Sequence, residues 1–216
     1  MTKAGADTPR ERYRAQVRAE ITGHAWEQIA TAGASALSLN AIAKQMGMSG
    51  PALYRYFTSR DDLITELVRE AYRSLADTLR TAAATGADLA GLAHALRGWA
   101  LADPQRYLLI YGTPVPGYRA PEDVTAVSDE IMTTLLDACA ALVPDGPATP
   151  FGSYLAEHRD WAGGHPAAPG ALHRFLTLWT RLHGVLSLEL AGHFAGMGFD
   201  PAVLFAAELD VLAHRP

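Results

Sequence analysis

The sequence predicts an all-α protein, and three of its features favour that fold class. Apolar residues recur at spacings of three and four along most of the 216-residue chain, as on the buried face of a helix. Capping residues and prolines precede many of these periodic segments. No run of alternating β-branched residues stands between turn residues, so the pattern of a half-buried strand is missing.

The first predicted helix begins after Thr8, whose hydroxyl can cap it. Pro9 suits the first helical position, and Glu11 completes a capping box with Thr8. One face of this helix carries an apolar residue at every fourth position: Val17, Ile21, Ala25 and Ile29. The helix is predicted to end at Gly33.

Two short helices and one long helix are predicted next. The first covers about residues 38–46 and ends at Gly47. Ser49 can cap the second, which is predicted over about residues 50–56. The pair Thr58-Ser59 then caps a long helix that runs to about residue 83.

Proline and glycine residues divide the remainder of the chain into further helices. These are predicted near residues 88–102, 104–111, 121–142, 148–162, 168–194 and 201–213, with loops at 113–117, 143–147 and 163–170. Asp200-Pro201 is a cap followed by a proline at the first helical position, so it marks the start of the last helix.

The composition is that of a globular protein, with 49% apolar and 19% charged residues. The longest apolar runs are far shorter than the ~20 residues that span a bilayer. The N-terminus also lacks the apolar segment of a secretory signal. The single cysteine, Cys139, lies in an apolar stretch and cannot form an internal disulfide. These features predict a cytoplasmic protein without membrane contact, in which Cys139 is a buried structural residue.

Charge is distributed unevenly along the chain. Residues 1–60 contain eight of the 18 basic residues and four of the 23 acidic ones, a net charge of +4. Residues 61–216 contain the other ten basic and nineteen acidic residues, a net charge of −9. This division predicts a small domain, residues 1–60, that faces a polyanion and is joined to a larger acidic domain, residues 61–216.

The two short helices within residues 37–60 form a candidate helix-turn-helix unit. Gly47 can adopt the left-handed conformation that a tight turn demands, and Ala43 is small where the two helices would cross. Leu53 and Phe57, four residues apart, would bury the inner face of the second helix. Its outer face then presents aromatic and basic side chains, as expected of a helix that enters a DNA major groove.

The stretch from Ala25 to Leu63 resembles the DNA-binding domain of the TetR (tetracycline repressor) family of transcriptional regulators. The matching positions keep fixed spacings and are Gly33, Ile42, Ala43, Gly47, Ser49, Leu53, Tyr54, Tyr56, Phe57, Arg60 and Leu63. Such a series of matches is far more specific than a helix-turn-helix pattern alone.

The resemblance implies that residues 50–56 are the recognition helix. The residues that would approach base edges are Gly50, Pro51, Tyr54 and Arg55. Ser49, which comes just before them, would also contact the DNA. The implied phosphate contacts come from Tyr54, Tyr56 and Arg60 and from the start of the preceding helix around Ser38. Ala52 stands where the family often has Ser or Thr, and Gly50 where a longer side chain is common. Few groups would therefore read bases directly.

A second resemblance lies in the C-terminal part. The segment from Trp179 through His183 and Gly184 to Leu190 is similar to the regulatory domain named for its Trp-His-Gly signature. In the TetR family this part of the chain binds a ligand and dimerises. The signature does not indicate which effector is bound.

Apolar stripes on the last two predicted helices favour a symmetric homodimer. One stripe comprises Leu172, Phe175, Leu176, Trp179, Leu182, Leu186 and Leu190, and the other Val203, Leu204, Ala207 and Val211. Part of each stripe must pack within one chain. We expect the first half of the longer stripe (Phe175, Trp179, Leu182) to face inward. We expect its continuation (Leu186, Leu190, Phe194) to lie nearer the partner.

Aromatic and histidine side chains are spread over several helices of the acidic domain, as in pockets between bundle helices. The candidate ligand-binding residues are Trp99, Tyr107, Tyr111, Tyr154, His158, Trp161, Trp179 and His183. Few charges accompany them, which predicts an apolar or aromatic effector with one or two hydrogen-bonding groups. Structural packing is the alternative for each residue, and for His183 this means a buried ring bonded to a backbone carbonyl.

No cofactor, metal site or catalytic site is predicted. The histidines form neither a His-x3-His pair nor an HExxH motif, and the chain lacks GxSxG, GxGxxG and P-loop motifs. The leading interpretation is a ligand-responsive repressor that binds a palindromic operator as a dimer. The alternative is a DNA-bound regulator without an effector, which acts through protein partners.

Overall fold

The protein is described by a computed structural model over residues 8–142 and 149–214. Every regular element in these two ranges is a helix, which confirms the all-α fold class. The chain divides into two compact units. The first comprises residues 8–70 with the segment 113–120, and the second comprises residues 71–112, 121–142 and 149–214. The unit boundary after Glu70 lies within a helix that begins at Arg60, the predicted end of the first domain.

The first unit contains α1 (Pro9–Ala32), α2 (Leu39–Gln45), α3 (Gly50–Leu53) and the first part of α4 (Arg60–Ala84). The predicted capping box at the start of α1 is present. The Glu11 amide donates to the Thr8 hydroxyl, and the Thr8 amide donates to the Glu11 carboxylate at 2.7 Å. The four residues of the predicted apolar face of α1 are all buried. Local sequence signals therefore predicted this helix correctly.

Helix α3 is shorter than the predicted helix over residues 50–56. It ends at Leu53 because the amides of Arg55 and Tyr56 bond to carbonyls three residues back, at 3.3 and 2.8 Å, and so form a tighter turn. Ser49 occupies the position before α3 but makes no side-chain cap. The turn lets Phe57 enter the core, where it is completely buried.

The second unit contains the remainder of α4 followed by α5 (Leu89–Ala102), α6 (Pro104–Tyr111), α7 (Glu122–Leu142), α8 (Pro150–Glu157), α9 (Pro169–Leu190) and α10 (Pro201–His214). The helices predicted at 88–102, 104–111, 121–142 and 201–213 are confirmed within one or two residues. The predicted loop at 143–147 lies outside the described residues.

Two predicted helices of the second unit end early. The one at 148–162 is divided into α8 and a short 3-10 turn, Asp160–Ala162, because the chain leaves helical geometry at His158. The one at 168–194 ends at Leu190, where Gly192 has a φ of +77°. The His193 amide donates to the Leu188 carbonyl across this glycine, as in a Schellman motif.

Candidate functional site

The turn between α2 and α3 has the helix-turn-helix geometry that the sequence predicts. Gly47 has a φ of +66°, in the left-handed region that favours glycine. The next amide, of Met48, donates to the Ala43 carbonyl at 2.8 Å and closes the turn. Leu53 and Phe57 are completely buried, as predicted, so the opposite side of α3 faces outward.

The predicted base-reading residues lie on this outward side. Ser49, Pro51 and Arg55 are exposed, and Tyr54 is 44% exposed. Gly50 and Tyr56 are half-buried. The exposed hydroxyl, ring and guanidinium groups are therefore available to a ligand as large as a DNA duplex.

Two arginines of α1 hold the turn after α3 by its backbone. Arg14 Nη2 donates to the Arg55 carbonyl at 3.3 Å, and Arg18 Nη1 donates to the Tyr56 carbonyl at 2.6 Å. The Arg18 guanidinium also lies 4.2 Å from the centre of the Phe57 ring. These charge-assisted bonds fix the turn that carries the predicted DNA contacts.

The sequence interpretation missed these arginine contacts. Their signal is the spacing of Arg10, Arg14 and Arg18, which places the three side chains on one face of α1. Arg10 and Arg14 are exposed, and Arg18 is half-buried beside Glu66. The α1 face thus adds positive charge beside α3, as a phosphate-binding surface requires.

Arg60, for which a phosphate contact is predicted, is half-buried and already bonded within its own chain. Its guanidinium donates to three carbonyl oxygens before α2: to Ala34 at 2.8 Å, to Ser35 at 3.2 Å and, from Nε, to Leu37 at 3.2 Å. The approach to α2 exposes these carbonyls, and Arg60 at the start of α4 satisfies them. The contacts of Arg60 therefore stabilise the segment before α2. Its contact with a phosphate stays a prediction.

We expect Arg60→Ala to lower the free energy of unfolding by about 2 kcal/mol, because three carbonyl oxygens lose their charged donor. Urea denaturation checks this value. Arg55→Ala is the matched control, since the exposed Arg55 side chain can be removed without leaving a buried acceptor. Equal stabilities for both variants and the wild type would contradict the structural role of Arg60.

Ser38 is the N-cap of α2. Its hydroxyl accepts a hydrogen bond from the Ala41 amide at 3.3 Å, and its own amide donates to Gln28 Oε1 at 3.0 Å. The hydroxyl hydrogen remains available to donate to an acceptor outside the helix. The predicted phosphate contact at the start of α2 is thus chemically feasible.

In the second unit, half of the predicted ligand-binding residues form one aromatic cluster. Its members are Tyr107 and Tyr111 of α6 and Trp179 and His183 of α9. The centre of the His183 ring lies 4.0 Å from that of Trp179 and 4.4 Å from that of Tyr111. Tyr72 extends the cluster on one side, and Phe175 and Trp161 extend it on the other.

Three predicted ligand-binding residues do not belong to this cluster. Tyr154 and His158 stack on each other at 4.0 Å on the surface of α8, where Tyr154 is 54% exposed. Their assignment to an enclosed pocket is wrong, because α8 turns this face to solvent. Trp99 is buried on α5, and its indole nitrogen donates to the Ser74 hydroxyl at 3.1 Å.

His183 is the polar centre of the cluster. Its Nδ1 lies 2.9 Å from the Tyr107 hydroxyl, which lies 3.0 Å from the Ser187 hydroxyl. Burial lowers the pKa of His183 to about 4, so the ring is neutral at pH 7. Burial also raises the pKa of Tyr107 and, more strongly, that of Tyr111. The expected alternative, a bond from the ring to a backbone carbonyl, is replaced by this bond to Tyr107.

The exposed apolar surface of α9 and α10 differs from the predicted one. Leu186 is completely buried within its own chain, so its expected position toward a partner is wrong. Leu190 and Phe194 are half-buried against the same core. Six of the exposed residues form two rows at four-residue spacing, Thr180, Gly184 and Leu188 on α9 and Val203, Ala207 and Val211 on α10; Gly170 and Asp210 are exposed outside these rows. We call these six residues the exposed rows.

The described residues offer less support for other kinds of site. Among the described residues, no three His, Cys, Asp or Glu side chains come together as a metal site requires. No described helix is long and apolar enough to cross a membrane. An open cleft of about 420 Å³ between α4 and α7 contains none of the predicted ligand-binding residues.

Comparisons with known proteins match both parts of the chain. Residues 21–67 match the family described as bacterial regulatory proteins of the tetR family, and residues 89–212 match the tetracyclin repressor-like C-terminal domain. The HTH-type transcriptional regulator Rv1816 of Mycobacterium tuberculosis is 38% identical over 215 residues, which cover 92% of each chain. The chain belongs to the TetR family of transcriptional regulators.

Solved structures share this fold. The protein SCO4313, whose crystal structure is known, is 71% identical; the match covers 96% of this chain and 100% of that chain, and the structures superpose with a TM-score of 0.89. The TetR regulator PfmR of Thermus thermophilus shares the fold, with a TM-score of 0.55, 17% identity and coverage of 89% of this chain and 96% of its own. The narrower Trp-His-Gly assignment stays a prediction.

TetR membership establishes the general activity of the protein. It is a DNA-binding transcriptional regulator and not an enzyme. TetR regulators bind DNA operators and typically dimerise. The helix-turn-helix geometry of α2 and α3 is the structural basis of DNA binding.

Proposed function

We propose that the protein is a cytoplasmic repressor that binds a palindromic operator as a homodimer and is released by a small apolar or aromatic effector. The observation that carries the effector part of this proposal is the aromatic cluster around His183, since sites for apolar ligands are lined mostly by aromatic and apolar side chains with a few polar groups. The exposed rows of α9 and α10 support the dimer, because adjacent helices that expose uncharged small and apolar residues can pair with their copies.

In the proposed DNA complex, α3 lies in the major groove. Pro51, Tyr54 and Arg55 reach base edges, while Ser38, Ser49 and Tyr56 contact phosphates. Two such units in a dimer would read half-sites about one helical turn apart. The two-fold symmetry of the dimer would then match a palindromic operator.

We expect Tyr54→Ala to weaken operator binding by roughly ten- to a hundredfold, the loss of one good base contact. Tyr54→Phe separates the contribution of the hydroxyl from that of the ring. Titration of DNA from upstream of the protein's own gene measures both. Tyr154→Ala is the control, since Tyr154 is a similarly exposed tyrosine of the second unit. Equal affinity of Tyr54→Ala and the wild type would refute the assigned recognition surface.

The effector would act by shifting the dimer between two conformations. Only one of them would hold the recognition helices at the spacing of the half-sites. Such a shift requires that the effector bind the two conformations with different affinities. We therefore expect that any compound that releases DNA also binds the free protein more tightly than the DNA complex.

The test of the proposed function is release of operator DNA by a panel of uncharged aromatic compounds and of small organic anions. Aromatic compounds should release DNA and quench the fluorescence of Trp179 and Trp161. Release by anions alone, or binding of aromatic compounds without any release, would refute the proposed regulation. The second of these results would favour a regulator that acts through protein partners. The exposed stacked pair Tyr154 and His158 on α8 is a candidate contact for such a partner.

A further inference from the structure

His183 carries a ring nitrogen that is buried and has no hydrogen-bond partner. Nε2 makes no hydrogen bond to any described residue, whereas Nδ1 is bonded to the Tyr107 hydroxyl at 2.9 Å. Buried polar atoms in native proteins are nearly always paired, so an unpaired one marks a position at which a partner group is expected. The surroundings of Nε2 therefore indicate which ligand group fits.

The hydrogen atoms of three groups decide whether Nε2 is a donor or an acceptor. Tyr107 lies between His183 Nδ1 and the Ser187 hydroxyl, and it has one hydrogen to donate. If Nδ1 is unprotonated, Ser187 donates to Tyr107 and Tyr107 donates to Nδ1, so both hydroxyl hydrogens are used. If Nδ1 carries the hydrogen, Tyr107 must donate elsewhere, to Ser187 or to the His183 carbonyl at 3.4 Å.

The first arrangement needs only the two short hydrogen bonds. When Tyr107 donates to Nδ1, only one group stays unpaired, and that group is the N–H at Nε2. In the second arrangement Nε2 lacks a donor, and Tyr107 has two possible acceptors. If it donates to Ser187, the Ser187 hydrogen has no acceptor among these three residues; if it donates to the His183 carbonyl, the separation of 3.4 Å is longer than an ordinary O–H···O hydrogen bond. A neutral imidazole carries one hydrogen, so the Tyr107–Ser187 pair places that hydrogen on Nε2.

The rings beside Nε2 limit the shape and charge of its partner. The ring contacts of His183 are with Tyr107, Tyr111 and Trp179, all of them uncharged. Tyr111 and Trp179 are half-buried, so a flat molecule can reach their rings from outside, and binding at Nε2 then requires that one of these rings move aside. An anion at this position would meet no cation among these contacts, which disfavours a carboxylate.

We infer that the effector site recognises a planar, uncharged carbonyl compound, whose oxygen accepts a hydrogen bond from His183 Nε2 while its ring stacks on Tyr111 or Trp179. This inference rests on the proposed function for the location of the site. Tyr107 and Ser187 are positioning residues, since they set the tautomer of His183 through a chain of hydrogen bonds.

The test uses four bicyclic probes that differ in polar group. 1-Indanone offers an acceptor, indole a donor, indane neither, and indane-2-carboxylate an anionic acceptor. Isothermal titration calorimetry gives the dissociation constant of each with the full-length wild type. We expect 1-indanone to bind at least tenfold more tightly than indane and the carboxylate. In His183→Phe, which keeps an aromatic ring, 1-indanone should lose this tenfold advantage while indane and indole change less than twofold.

Two further measurements distinguish recognition through the Nε2 hydrogen of His183 from binding by ring packing alone. Long-range proton–nitrogen correlation spectra of the histidine rings should show His183 protonated at Nε2 in the wild type. Ser187→Ala removes the hydrogen that is donated to Tyr107, so it should shift the ring toward a mixture of tautomers. Tyr107→Phe should shift the ring toward a mixture of tautomers and reduce the preference for 1-indanone. Protonation at Nδ1 in the wild type, tightest binding of the carboxylate, or absence of 1-indanone binding would overturn the inference.

These outcomes are independent of the test of DNA release. Carbonyl-dependent binding at His183 without DNA release would refute the proposed regulation and leave this inference standing. Release of DNA by aromatic compounds that bind His183→Phe and the wild type equally would support the regulation and overturn this inference.

Discussion

Replacing Val203 and Ala207 together by glutamate should convert the protein to a monomer that no longer binds operator DNA. Both residues belong to the exposed rows, and Val203 is 68% exposed within one chain. In a two-fold interface each substitution occurs twice, so the double variant would bury four like charges. Each unpaired buried charge costs several kcal/mol, which lowers dimer affinity by at least roughly a thousandfold.

Sedimentation velocity at micromolar concentration measures the oligomeric state, and an operator titration measures the functional loss. Ala83→Glu is the matched control, because Ala83 is an exposed alanine of α4 outside the exposed rows. The control should remain dimeric and bind DNA normally. A dimeric Val203→Glu/Ala207→Glu protein with unchanged melting behaviour would show that α10 does not form the interface.

The second large effect concerns an ion pair between α5 and α9. Arg97 Nη2 lies 2.6 Å from Glu189 Oε1, and the side chains are only 17% and 15% exposed. The Arg97 guanidinium also lies 5.6 Å from the centre of the Phe205 ring on α10. Glu189→Ala should lower the free energy of unfolding by about 3 kcal/mol, because it leaves the guanidinium largely buried without its partner.

Replacing both residues separates two quantities: the loss of stability when one partner is removed, and the net stabilisation that the intact ion pair provides. Arg97→Met with Glu189→Leu removes both charges and fills the space, so its stability should lie within about 1 kcal/mol of the wild type. Asp77→Ala breaks the exposed Arg80–Asp77 pair at the same 2.6 Å separation. This control should cost less than about 1 kcal/mol in urea denaturation. Equal losses of free energy of unfolding in all three variants would contradict the claim that burial makes the Arg97–Glu189 pair costly to break.

Features of the fold that depend on neighbouring residues could be predicted from the sequence. The capping box of α1 joins Thr8 and Glu11, and the apolar face of α1 repeats within a few turns. The left-handed conformation of Gly47 follows likewise from a short turn between two apolar segments. These signals are local, so one sequence contains all the information that they need.

Features that depend on distant residues could not be predicted. The carbonyls bound by Arg60 precede it by 23 to 26 residues, and Tyr107 is separated from His183 by 76. Leu186 and Tyr154 show the same limit, because apolar periodicity identifies a helix but does not tell which neighbour covers each side. Four of the eight candidate ligand-binding residues lie together in the aromatic cluster, but neither which four nor their hydrogen-bond chain follows from the sequence.

The way in which the turn after α3 is held has a consequence for the evolution of operator choice. Arg14 and Arg18 bind carbonyl oxygens of residues 55 and 56, and these oxygens are present whatever side chains the two positions carry. The side chains at positions 51, 54 and 55 can therefore change without loss of the bonds that orient them. If these side chains read the operator as proposed, duplicated copies of such a gene would acquire new target sequences by single substitutions, while the scaffold that presents the side chains stays intact.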